Sequence, residues 1–74
     1  MNSFLSKKID KEIPNMPDGF SAAQMKDRMI EKMRTLRYLE NTTTIGSYLS
    51  RHSKLITILD NRNKRTYWRT EHEN

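Results

Sequence analysis

The 74-residue sequence contains no cysteine. No disulfide can staple it, and no thiolate zinc site can form. Two histidines, His52 and His72, are too few and too far apart in sequence to suggest a metal centre, and no cofactor is expected. Glycine and proline number two each, so breakers are rare and their positions carry information. Apolar residues make up only 34% and mean hydropathy is −0.96. The longest apolar stretch, Leu55 to Leu59, is interrupted by Thr57. A membrane span needs about 20 apolar residues, so none is expected. Met1 to Ile13 does not read as a signal peptide, because Lys7, Lys8, Asp10, Lys11 and Glu12 fill the place of its apolar region. The expectation is a soluble intracellular protein of one small domain over 1–74, with its core within about 3–70 and a loose tail at 71–74.

Acidic residues are scarce where basic ones gather. Net charge is +5, and its distribution is uneven. Residues 1–20 sum to zero and 21–41 to +2. Residues 42–70 carry Arg51, Lys54, Arg62, Lys64, Arg65 and Arg69 against Asp60 alone. A positive field confined to the C-terminal third favours a polyanion as partner. A solvated basic face kept for solubility accounts for the charge equally well.

Periodicity assigns the elements. Phe4 or Leu5, Ile9 and Ile13 share helical spacing, with Asn2 or Ser3 as cap and Pro14 as terminator. "PNMPDGF" is a turn, and Phe20 beyond it is either a bridge residue in a small sheet or a staple on the next helix. Ser21 caps a second helix in which Ala22, Met25, Met29, Met33 and Leu36 form one stripe, with Asn41 as its stop. A third helix over 43–54 starts from Thr42 or Thr43 as cap and has Ile45 and Leu49 on one face. Gly46 within it costs up to about 1 kcal/mol against Ala, which points either to close approach of a backbone, from a neighbouring helix or a ligand, or to simple tolerance of the glycine. A hairpin follows. Leu55–Leu59 and Arg65–Thr70 alternate, and "DNRNK" supplies turn residues. Ile56, Ile58 and Trp68 are expected to pack onto the helices. Tyr67 either reaches a ligand phosphate or packs beneath the hairpin.

No catalytic constellation is legible, and no enzyme activity is expected. Ser50, His52 and Ser53 lie close in sequence, but a triad needs a buried acid and an oxyanion hole, and neither is indicated.

"GFSAAQMKDRM", "TTTIGSYLSRHSKL" and "ITILDNRNKRTYWR" together resemble a winged helix-turn-helix DNA-binding domain. The resemblance implies an α+β fold, mainly α, with three helices and a C-terminal two-stranded β-hairpin as wing. Gly19-Phe20 would stand where that family has a short strand before the second helix. The third helix would be the recognition helix. "EKMRTLRYLEN" departs from the pattern, because a simple helix-turn-helix joins its helices by 3–4 residues.

Two alternative partners follow from these residues, with DNA the favoured one. The first is double-stranded DNA, bound by a small transcriptional regulator in the cytoplasm, at the nucleoid, or in a nucleus. Thr43, Thr44, Ser47 and Ser50 would meet base edges or phosphates, and Arg51 and Lys54 the phosphates. Arg62, Lys64 and Arg65 would lie along the backbone or minor groove, with Arg69 completing the cationic set. A homodimer is the usual way for so small a reader to cover enough sequence, and Phe4, Leu5 and the Met-containing helix are its candidate surface. The second partner is an acidic protein, bound by the same fold as an adaptor or inhibitor, with Met25, Met29, Tyr38 or Tyr48 exposed as an apolar patch.

Overall fold

The computed structural model describes residues 1–33 and 40–70. Their order is α1 (Ser3–Glu12), a 3₁₀ turn (Ile13–Asn15), α2 (Ala22–Met33), α3 (Thr42–Ser50), β1 (Leu55–Leu59) and β2 (Arg65–Arg69). This is the expected α+β layout, three helices followed by an antiparallel hairpin.

Each helix begins on a side-chain cap. Asn2 Oδ1 accepts the N–H groups of Phe4 and Leu5, at 2.8 and 3.1 Å. Ser21 and Gln24 form a reciprocal capping box, which satisfies two amides that have no partner inside the helix. For α3 the cap is Asn41, whose Oδ1 accepts from Thr44 N–H at 2.8 Å. The expected caps Thr42 and Thr43 are instead its first helical residues. The helix also ends earlier than the 43–54 reading, at Ser50, with Arg51 as C-cap. The continuation of α2 to Leu36, the connection through 34–39, Tyr38 and the tail at 71–74 with His72 lie outside the described residues.

The core follows the helical stripes. Leu5, Ile9, Ile13, Met16, Phe20, Met25, Met29, Ile45, Leu49, Leu55 and Tyr67 are buried in one cluster, with Ala22, Met33 and Tyr48 at its margin. Leu5, Met25 and Met29 are therefore spent inside the monomer. They are removed from the expected dimer surface, of which Phe4 stays exposed, and from the exposed patch that the adaptor reading needs at Met25 and Met29. Glu12 is buried and pairs with Arg28, with Lys32 at 3.9 Å, which locks α1 to α2.

The hairpin packs on the face opposite to the expected one. Tyr67 is buried, whereas Ile56, Ile58 and Trp68 are exposed. The register pairs Thr57 with Tyr67 and Ile56 with Trp68, so one choice of face fixes all of them. Two long-range contacts set that choice. Phe20 forms an antiparallel bridge with Tyr67, which resolves its role in favour of a sheet residue and adds a third, one-residue strand. Tyr67 Oη donates to the Gly46 carbonyl at 3.2 Å and lies 3.2 Å from Ser50 Oγ. Tyr67 therefore packs beneath the hairpin, and its hydroxyl is not free for a phosphate. Trp68 lies instead along Gly19, whose φ is +79°. Gly46 does not mark close approach of a backbone: a Cβ there would make ordinary contacts with two side chains, Tyr67 Oη at 3.4 Å and Ala22 Cβ at 3.6 Å.

Candidate nucleic-acid interface

α3 crosses beside the hairpin because Gly46 and Leu49 seat it against Tyr67 and the core. The positions between these buried ones, Thr43, Ser47 and Ser50, remain exposed, as does Arg51 just past the helix end. Spacings of three and four place them along one side of the helix. An open groove of about 500 Å³ lies between this side and the hairpin. Ser21, Ala22 and Ala23 at the start of α2, Thr42, Thr43 and Gly46 of α3, and Lys64, Arg65 and Tyr67 of the hairpin line it. An adjoining hollow is lined by Ser47, Ser50, Arg51, Thr57 and Arg65. Arg65 borders both, so the two are adjoining lobes that meet at its side chain.

Six of the ten residues singled out from sequence meet there: Thr43, Ser47, Ser50, Arg51, Lys64 and Arg65. Four do not. Thr44 is half-buried on the Tyr48 side of α3. Lys54 falls past the helix end and lines a different hollow, with Asp10, Ile13 and Pro14. Arg62 stands exposed at the hairpin tip, bordering neither lobe. Arg69 is a structural residue. Its Nη1 donates to the carbonyls of Ile13, Pro14 and Met16 at 2.9, 3.1 and 2.7 Å, and its Nη2 pairs with Asp18 at 3.3 Å. This guanidinium caps the carbonyl end of the 3₁₀ turn, where Ile13 also accepts the Met16 N–H at 3.1 Å, and its polar atoms are spent on these structural partners.

The cations at the groove are uncompensated. Among the described residues, Arg51, Lys64 and Arg65 form no ion pair, whereas Arg28, Lys32 and Arg69 all do. Arg51 Nε donates to the Ser47 carbonyl at 3.2 Å, one turn back along α3. Asp60, the lone acid of 42–70, is occupied by the turn. Its Oδ1 accepts the N–H groups of Arg62 and Lys64, at 2.8 and 2.9 Å. The Lys64 amide, then the Arg62 amide, hold its carboxyl below the usual range.

A second polar cluster, unforeseen from sequence, ties α1 to the end of α3. Asp10 Oδ1 accepts from both Tyr48 Oη and His52 Nε2, the latter at 2.9 Å. His52 Nδ1 accepts the Lys54 N–H at 3.1 Å, so the ring proton sits on Nε2. Burial first, and then the Asp10 carboxylate, push the Tyr48 hydroxyl up to about 12, so it stays a donor at neutral pH. Nothing short-range in sequence signals these contacts across about 40 residues. Thr57, also missed, was legible in principle: it follows Tyr67 in the hairpin register.

No helix among the described residues is long and apolar enough to cross a membrane. No protein-family model, curated protein or solved structure matches the chain.

Proposed function

We propose that the chain is a winged-helix protein that binds double-stranded DNA, as a small transcriptional regulator acting at the nucleoid or in a nucleus. The observation that carries this reading is the pair of adjoining lobes. The hydroxyl-bearing side of α3 and the unpaired cations Arg51, Lys64 and Arg65 open onto them. Duplex DNA carries a negative charge every ~1.7 Å of axis, and cations that meet it gain by releasing counterions. A helix fits the major groove, about 12 Å wide, where Ser and Thr can bond base edges. Thr43 and Ser47 are the candidates for that contact, with Ser50 and Arg51 nearer the backbone. Lys64 and Arg65 meet phosphates across the groove, and Arg62 extends the wing toward the next stretch of backbone. The first turns of α2 and α3 border the same surface, and their unpaired amides add a modest attraction for anions.

The test is a titration against random-sequence duplex at two salt concentrations, for the wild type and for the combined Lys64→Glu, Arg65→Glu variant. The wild type should bind more weakly as salt rises. The variant should bind more weakly still at low salt, with a log–log salt slope smaller by about one for each phosphate left without its cation. Equal affinity and equal slope in the two proteins would remove the groove from DNA binding.

A further inference from the structure

β1 has an unpaired edge, and its composition is unusual for one. The ladder bonds from Asp60 N–H to the Lys64 carbonyl (2.9 Å) and from Thr70 N–H to the Lys54 carbonyl (3.1 Å) fix which residues face β2. With the observed register, Ile56 and Ile58 turn their backbone groups inward, and Leu55, Thr57 and Leu59 turn theirs outward. The Leu55 N–H is taken by the His52 carbonyl at 3.2 Å. Among the described residues, the other outward groups have no protein partner. Native edges are normally guarded by a charge, a proline or a bulge. "LITIL" has none of these, and its pairing with β2 is unbroken across all five residues. Its neighbours on the outer face are apolar too: Ile56, Ile58 and Trp68 are 47%, 45% and 38% exposed.

We infer that β1 docks against β1 of a second copy, antiparallel, about a two-fold axis through Thr57. The strand reads the same in both directions, Leu-Ile-Thr-Ile-Leu, so it is its own complement. Thr57 then faces Thr57, each Ile56 lies beside the other copy's Ile58, and each Leu55 faces a Leu59. The free groups match this register. Thr57 exchanges two bonds with its counterpart, and each Leu59 N–H reaches the opposite Leu55 carbonyl. On the outer face the Ile pairs join two Trp68 side chains into one apolar stripe across four strands. The assembly closes at two copies. The far edge of β2 is occupied at its centre, with Tyr67 N–H bonded to the Phe20 carbonyl at 2.8 Å and the Tyr67 carbonyl to Gly19 N–H at 3.0 Å, so a further strand cannot run along it. A contact built on one short strand falls below the ~1,000 Å² of a stable interface, and the dimer is therefore weak and concentration-dependent.

Sedimentation equilibrium and residue-resolved amide exchange, from about 10 μM to about 1 mM and without DNA, test this. The mass should rise from one copy towards two. Over the same range the Thr57 and Leu59 amides should exchange more slowly, while Ile56 and Ile58, already bonded to β2, should not change. Thr57→Pro removes the amide at the two-fold and no bond to β2. It should keep the protein monomeric, with its melting temperature little changed. Ile58→Lys leaves every backbone group in place and should weaken the dimer at least roughly tenfold, which decides the matter if the proline variant fails to fold. A wild type that stays monomeric throughout, or a dimer that survives the substitutions, would overturn the inference.

Discussion

Gly19 and Gly46 are the two glycines of the chain, and they answer to different constraints. Gly19 sits at φ +79°, and a Cβ there would come within 3.0 Å of the Trp68 ring. Backbone preference and space both exclude a side chain. Gly46 has ordinary helical geometry, and an added methyl would make normal contacts with Tyr67 Oη and Ala22. Opposite outcomes follow for one chemical change. Gly19→Ala should lose more than about 1 kcal/mol, because the strain in a left-handed conformation exceeds the entropic gain. Gly46→Ala should gain a few tenths up to about 1 kcal/mol from helix propensity. Urea unfolding of both variants checks the pair, and a large loss in Gly46→Ala would show that α3 sits closer to Tyr67 than these distances allow.

The hairpin shows what an element adds to its residues. Asp60 N–H and the Lys64 carbonyl close the loop, Asn63 takes φ +61°, and Asn63 N–H returns to the Asp60 carbonyl. This is the three-residue hairpin in which a turn is followed by a left-handed residue, a position that Asn tolerates. The Asp60 carboxylate gathers two tip amides and so fixes where Lys64 and Arg65 stand. Its folded pKa lies below the unfolded one. Its support for the tip is thus complete above the ordinary carboxyl value of about 3.9 and fades as pH falls through the lower, folded value. Amide shifts of Arg62 and Lys64, followed by NMR into acid, should titrate below that ordinary value and should not titrate in Asp60→Asn. Element identity was readable from sequence here and in the helices, because caps, spacing and turn residues act over a few positions. The buried face was not readable. Strict alternation offers two faces, and the larger apolar content of Ile56, Ile58 and Trp68 argued for the wrong one. Phe20 and Gly46 decided for Tyr67 from 47 and 21 residues away, and Arg65 and Arg69 tolerate that face because their long stems carry the charge to its rim. The same flip brought Thr57 to the groove, while the carbonyls of the 3₁₀ turn and Asp18 hold Arg69 away from it, so the site was legible on α3 and only partly on the hairpin.

At the scale of the whole molecule, six of the described cations form two contrasting sets that composition cannot separate. Arg28, Lys32 and Arg69 are bound to carboxylates. Arg51, Lys64 and Arg65 surround the groove unpaired. The first set holds the chain together and the second is available to a ligand, so stability and salt-dependent binding should separate cleanly between them. Arg69→Met keeps the aliphatic stem and strips the carbonyls of Pro14 and Met16 of the guanidinium donor, leaving Ile13 only the Met16 N–H. Charge-assisted hydrogen bonds of this kind are worth about 1.5–3 kcal/mol, and in a domain of this size each kcal/mol is about 4–8 °C of melting temperature. A fall on the order of 10 °C is therefore expected, with the salt slope of DNA binding unchanged at a temperature where the variant is folded. Lys64→Met should do the reverse. Its backbone bonds to Asp60 persist, its side chain is exposed, and its stability should stay within about 0.5 kcal/mol of wild type, while the slope falls by about one. Thermal melts and two-salt titrations on both variants give four numbers. A salt slope that falls with Arg69 rather than Lys64 would place the DNA on the 3₁₀-turn side of the hairpin, away from α3.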